Sequence, residues 1–200
     1  MNIQAQQIHN KAQANTLRKW TREIARPGAK VLEIGSWCGN SSTIIGNILK
    51  KHDAHLYCID WWKGNIGIEL ETIAKENDIF QEFWKNICGN KLQDTVIPIR
   101  GNSDIVHEIL KPNTFDMIFI DGDHRYDQVD KDLKNYLPLI KKNGIFCGHD
   151  CEAKLEDCDY EFITENKNMD ACQSTHCGVI LAVGEFLTKY KIVHKLWRKQ

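Results

Sequence analysis

VLEIGSWCGNSS, residues 31 to 42, is the stretch whose reading decides the fold. Val31, Leu32 and Ile34 form a short apolar run with Gly28 before it and Gly35 after it. That pattern predicts a buried strand ending in a glycine turn. From Ser41 the spacing becomes helical, with Ile44, Ile45, Ile48 and Leu49 on one face. The order is strand, tight loop, helix. Gly35 and Gly39 let the backbone approach a ligand where a Cβ would obstruct it. N–H groups at the helix start, near Asn40 to Ser42, are available as donors. The dinucleotide fingerprint G-x-G-x-x-G would need glycine at position 37, which is Trp37. Glu33, at the strand end, suits a cationic ligand better than a diphosphate. The plainer alternative is a glycine turn that only joins strand to helix.

Working outward, 200 residues predict one domain, residues 1–200, with one core. Net charge is -1 and no basic tract stands out, so nucleic acid and acidic membranes are not expected partners. No apolar run reaches the roughly 18 residues that span a bilayer. The opening MNIQAQQIHNKAQ is polar and lacks a signal-peptide core, so a soluble, cytoplasmic protein is expected. Ile8 to Arg26 reads as a helix stopped by Pro27-Gly28, and residues 1–27 as a helical cap, either packing or covering a cleft.

Downstream, Leu56 to Ile59 gives a second strand with Asp60 at its tip, where a carboxylate can accept both hydroxyls of a ribose. Trp61 and Trp62 follow, to stack on a base or to pack. Phe80, Phe83, Trp84 and Ile87 mark a helix ended by Gly89. Val96 to Arg100 is a third strand, followed by Asn102 and Ser103, which suit a base edge or a helix cap, with Ser103 the expected cap. Met117 to Ile120 reads as a central strand stopping at Asp121-Gly122-Asp123-His124. Val129, Leu133, Tyr136, Leu137 and Ile140 predict a helix ended by Asn143-Gly144. Ile145 to Cys147 is another strand, ending at His149-Asp150. Tyr190 to Trp197 reads as one last strand. Alternating strands and helices predict an α/β fold, a doubly wound, mostly parallel sheet in an α-β-α sandwich. Every candidate site residue follows a strand's C-terminal end, so all share one rim.

VLEIGSWCGNSS, CIDWW, IRGNSD, FDMIFIDGDHRYDQVDKDL and GIFCGHD, in this order, resemble class I S-adenosylmethionine-dependent methyltransferases, with their Rossmann-like fold. The IDGDHRY and GHD blocks are similar to the branch containing small-molecule and sugar O-methyltransferases. The resemblance covers roughly Val31 to Asp150, and HCGVILAVGEF is similar to that branch's next helix. It implies S-adenosylmethionine as methyl donor and a small-molecule acceptor, most simply a hydroxyl, and leaves a homo-oligomer open. Glu33, Gly35, Ser36 and Gly39 would form the methionine-side loop, and Ser41 or Ser42 would hold the donor's carboxylate. Asp60 would take the ribose and Trp61 lie beside the adenine. Asn102 and Ser103 would lie near the adenine edge, and Asp121 at the methyl-donating end.

An alcohol acceptor must lose a proton, to a base or with a metal's help. His124 and His149 are the candidate bases, and Asp121 and Asp150 complete the catalytic set. Catechol O-methyltransferase-like relatives imply a divalent-metal trio, Asp121, His149 and Asp150. A histidine there departs from the oxygen set that Mg²⁺ prefers. The rivals are a non-catalytic nucleoside-binding module and a nicotinamide oxidoreductase. Cys38, Cys58, Cys88 and Cys147 read as buried small apolar residues. Cys151, Cys158, Cys172 and Cys177 cluster near His149 and His176, but no C-x-x-C supports zinc. Residues 151–176 read as a cysteine-rich loop over the cleft that helps select the substrate. The family usually closes its sheet with two strands. This chain leaves room for a shortened edge only.

Overall fold

The computed structural model describes residues 10–200. The apolar run around Leu32 forms β1 (Lys30–Ile34), and the glycine loop leads into α2 (Asn40–Leu49). Before them lies α1 (Lys11–Ile24). After them come β2 (His55–Asp60), α3 (Glu69–Glu76), α4 (Ile79–Gly89), β3 (Val96–Arg100) and the single turn α5 (Ser103–Val106). Next are β4 (Phe115–Ile120), α6 (Tyr126–Tyr136) and β5 (Ile140–Gly148). The chain continues with α7 (Tyr160–Glu165), α8 (Cys177–Phe186), β6 (Tyr190–Val193) and β7 (Leu196–Lys199).

The seven strands run in the order β3-β2-β1-β4-β5-β7-β6. The first five are parallel, while β7 pairs antiparallel with both β5 and β6. Strand alternation splits the core in two. Val31, Leu56, Met117 and Phe119 face α1, α2 and α4. Leu32, Ile34, Ile118 and Phe146 face α6 and α8. This is the sandwich expected from the sequence.

Several local expectations change. The helix expected through Ile140 ends at Tyr136, because Pro138 sits in a 3₁₀ turn, Leu137–Leu139. Asn143-Gly144 lies inside β5, where the β4–β5 register shifts. Gly144 fits there because a Cβ would stand 2.7 Å from Ile140 Cγ1. Asn102, rather than Ser103, caps α5 by accepting from the Asp104 N–H at 2.9 Å.

The single last strand is instead a hairpin. His194 and Lys195, at φ 53° and 66°, form its turn, and left-handed pairs match the twist of two-residue hairpins. Both closing strands are present, each four residues long. The helix α1 packs Leu17, Trp20 and Ile24 into the core against α2. None of its described residues lines the cleft described below; Ile8 lies outside the described residues. Cys38, Cys58 and Cys147 are buried, but Cys88 is exposed on the outer side of α4. No helix among the described residues is long and apolar enough to cross a membrane.

Candidate active site

The sheet ladder runs one residue beyond several strand ends. Gly35 N–H donates to the Ile59 carbonyl at 2.9 Å, and Asp121 N–H to that of Ile34 at 2.8 Å. His149 N–H donates to the Ile120 carbonyl at 3.1 Å, and Gly101 N–H to that of Asp60 at 3.0 Å. These bonds gather the tips of β1 to β5 into one rim. Gly35 (φ 85°) is where two tips meet, since a Cβ there would stand 2.1 Å from the Asp121 carbonyl oxygen.

Two adjoining cavities open along this rim. One, about 210 Å³, lies between Ile34 and Ile59 on one side and Asn102, Ser103, Gln128 and Asp132 on the other. The second, about 350 Å³, is bounded by Trp37, Ser41, Asp121, His124, His149 and Asp150. Gly35, Asp60, Trp61, Asn65 and Gly122 line both, so the two form one cleft.

Asp60 stands at the junction. Its Oδ2 accepts from Trp37 N–H at 2.7 Å and its Oδ1 from Trp62 N–H at 2.6 Å. Burial raises the Asp60 pKa, and these backbone donors oppose that rise. The backbone N–H groups of Ser36 and Trp61 also act on this carboxylate. Trp61 lines the cleft, whereas Trp62 packs against Phe80 and Phe83 and donates its Nε1–H to the Trp37 carbonyl at 2.8 Å.

Glu33 does not reach the cleft. It is fully buried beneath the loop. Its Oε2 accepts from Ser36 Oγ at 2.9 Å, from Ser42 Oγ, and from Cys58 Sγ at 3.3 Å. Burial raises its pKa against these donors. The cause is strand alternation: Glu33 shares Val31's face, under α2, and pairs with Cys58 across the sheet. Ser36 and Ser42 are turned inward with it, and Ser41, which lines the cleft, also directs its side chain towards Glu33. At Gly39 (φ 83°) an added Cβ would stand 2.9 Å from Phe83 of α4, so the loop packs closely on that helix here.

At the far end, imidazoles and carboxylates interleave. Asp150 adopts φ 55°, and its Oδ2 lies 3.1 Å from His124 Nε2 and 3.2 Å from His149 Nδ1. His149 Nδ1 is also 3.4 Å from Asp121 Oδ1. Donor atoms of Asp121, His149 and Asp150 all lie within 4.8 Å of one another. Burial depresses the His124 pKa, but Asp150 and Asp170 outweigh it and hold the imidazole well above the ordinary range. His149 is pushed up to about 10, because Asp121 and Asp150 overcome the effect of its burial. Burial would raise the Asp150 pKa, yet both imidazoles hold it far below the usual carboxylate range.

The sequence reading missed Asp170 and Glu152, and placed His176 only beside the cysteine cluster. Asp170 Oδ1 bonds His124 Nδ1 at 3.0 Å, and Glu152 Oε1 bonds His176 Nδ1 at 2.9 Å. Residues 151–176 are not a plain loop, since they contain α7 and a bridge between Cys172 and Thr175. Asp170 and Ala171 bring part of this segment to the cleft wall. The thiols of Cys151 and Cys158 donate to carbonyls of Ala153 and Lys154. Among the described residues, neither cluster with metal-ligating geometry includes a cysteine.

A family profile described as "Methyltransferase domain" matches residues 32–151. No curated protein matches the chain. Among solved structures, a provisionally assigned caffeoyl-CoA O-methyltransferase from Staphylococcus aureus aligns with TM-score 0.65 and 19% identity, covering 96% of this chain and 84% of that one. An O-methyltransferase from Bacillus cereus in complex with S-adenosylhomocysteine aligns with TM-score 0.64 and 16% identity, over 98% of this chain and 84% of that one. An S-adenosylhomocysteine-bound methyltransferase from Podospora anserina gives 0.62 and 14%, over 96% and 78%. These likenesses establish the fold, and the profile match, which spans more than half of the sequence, establishes the kinship: the chain belongs to the methyltransferase-domain family.

Proposed function

We propose that the cleft binds S-adenosylmethionine and that the protein methylates a hydroxyl of a small molecule or sugar. The observation that carries this reading is the position of Asp60 between two dissimilar halves of one cleft. On one side, Ile34 and Ile59 give apolar walls and Asn102, Ser103, Gln128 and Asp132 give polar edges, which suits a purine. On the other side, Ser41 and the start of α2 suit a carboxylate. Asp60 accepts the ribose hydroxyls and Trp61 walls the junction. The solved likenesses bound to S-adenosylhomocysteine support the same ligand.

When bound, S-adenosylmethionine supplies a methyl group already activated by its sulfonium. The protein's task is then to hold acceptor and donor in line and keep water out. Trp37, Trp61 and Leu70 wall the acceptor side. Asp121, His149 and Asp150 fit a divalent ion, and their two oxygens and one nitrogen suit Mn²⁺ or Zn²⁺ better than Mg²⁺. Such an ion would lower the acceptor hydroxyl's pKa. If turnover survives a chelator unchanged, His124 or His149 can take the acceptor's proton only after giving up the one that their carboxylates hold. The nicotinamide rival is disfavoured by Trp37, which holds a left-handed backbone (φ 42°) where the fingerprint needs glycine.

Calorimetry with S-adenosylhomocysteine tests the proposal. Saturable binding supports it, and absence of heat at high protein concentration refutes it.

A further inference from the structure

Asp150 is shared between two ligand sets. Besides the trio with Asp121 and His149, its donor atoms lie within 4.8 Å of those of His124 and His176. The Oδ2 of Asp150 meets His124 Nε2 at 3.1 Å, while its Oδ1 faces His176 Nδ1 at 3.7 Å. The three side chains arrive from separate segments: the tip after β4, the tip after β5 and the residue capping α8. The two imidazole rings stand 4.5 Å apart, edge to face. All three residues line the larger cavity, so an ion has a route from solvent.

The surroundings of the two imidazoles carry the argument further. Each has its own carboxylate, Asp170 on His124 and Glu152 on His176. Glu152 is fixed in turn by the His176 N–H at 3.1 Å and by Lys195 Nζ at 3.0 Å. A carboxylate on one ring nitrogen fixes the tautomer and raises the basicity of the other; Asp170 and Glu152 both sit on Nδ1, so Nε2 is the nitrogen that His124 and His176 would each offer an ion. Backbone packing holds the frame. A Cβ on Gly178, two residues after His176, would meet the His124 carbonyl oxygen at 2.3 Å. The β4 tip and the α8 start are thereby kept in contact.

We infer that His124, Asp150 and His176 form a second cation position, with Asp150 bridging to the position at Asp121 and His149. Two nitrogens and one oxygen select a borderline transition ion, such as Zn²⁺ or Co²⁺, over Mg²⁺. The cleft then holds two ions at its acceptor end. The inference leans on the proposed function only for the first position; the second stands on its own ligands.

The test is metal binding by the full chain, stripped with chelator and titrated with Co²⁺, read by calorimetry and by visible Co²⁺ absorption. Wild type should bind two equivalents. His176→Asn and His124→Asn should each lose one equivalent and keep the other. Asp121→Asn should lose the other one, and Asp150→Asn should weaken both by at least tenfold. Circular dichroism and His176→Gln check that lost binding is not lost folding. One equivalent or none in wild type, or a second equivalent that survives His176→Asn, overturns the inference. Binding of S-adenosylhomocysteine, measured without metal, reports separately on the proposed function.

Discussion

Asp60, half-buried, and Asp132, fully buried, are both carboxylates of the cleft, but their surroundings give them different duties. Asp60 is fixed by backbone donors on both of its oxygens. Asp60→Asn replaces one acceptor oxygen by a donor that opposes these N–H groups and a ribose hydroxyl. S-adenosylhomocysteine affinity should fall by about 10- to 100-fold, the loss of one or two charge-assisted bonds, in calorimetry. Asp132 has a pKa raised to about 7, chiefly by burial, with Ser103 and Gln128 opposing. The folded protein therefore keeps a proton there that the unfolded chain releases near 3.8. Stability falls as pH rises from about 4 towards 7, and the deficit is complete above 7. At about 1.4 kcal/mol per pH unit the ceiling is about 4 kcal/mol. Asp132→Asn should remove that slope, so its melting temperature should exceed wild type at pH 8 and approach it at pH 4. Glu33 shows what sequence pattern can deliver at this scale. Its place at a strand end was legible. Its direction required counting the two-residue alternation from Val31, which sends it beneath α2 with Ser36 and Ser42.

At the scale of elements, the site depends on how closely strand tips approach. Gly35 permits contact with the Asp121 carbonyl at a spacing no other residue allows, and at φ 85°. Gly35→Ala should destabilise the protein by about 2–4 kcal/mol, from combined clash and backbone strain. It should also reduce ligand binding, and denaturant melts with calorimetry check both. The tips after β1, β2, β3, β4 and β5 were legible because glycine turns and apolar runs are local patterns. The carboxylates behind His124 and His176 were not. Asp170 and Glu152 come from a segment without periodicity, and only the tertiary fold brings them to the rim. The hairpin at His194-Lys195 was hidden for a related reason. It carries no Asn-Gly signal, and its left-handed residues are held by strands on both sides.

On the scale of the whole molecule, the closing edge is tied to both the core and the site. Trp197 is nearly fully buried and meets Phe146 edge to face at 5.6 Å. Trp197→Ala should cost about 3–5 kcal/mol, as for other buried large-to-small changes, in chemical denaturation. The α-β-α plan followed from the order of apolar runs, yet the edge that finishes the sheet did not. The hairpin turn also fastens the acceptor end, since Cys151 N–H donates to the Lys195 carbonyl at 3.0 Å and Lys195 Nζ holds Glu152. Lys195 thus ties the last turn of the sheet to the β5 tip, and any change that loosens this turn should loosen Glu152 and, through it, His176.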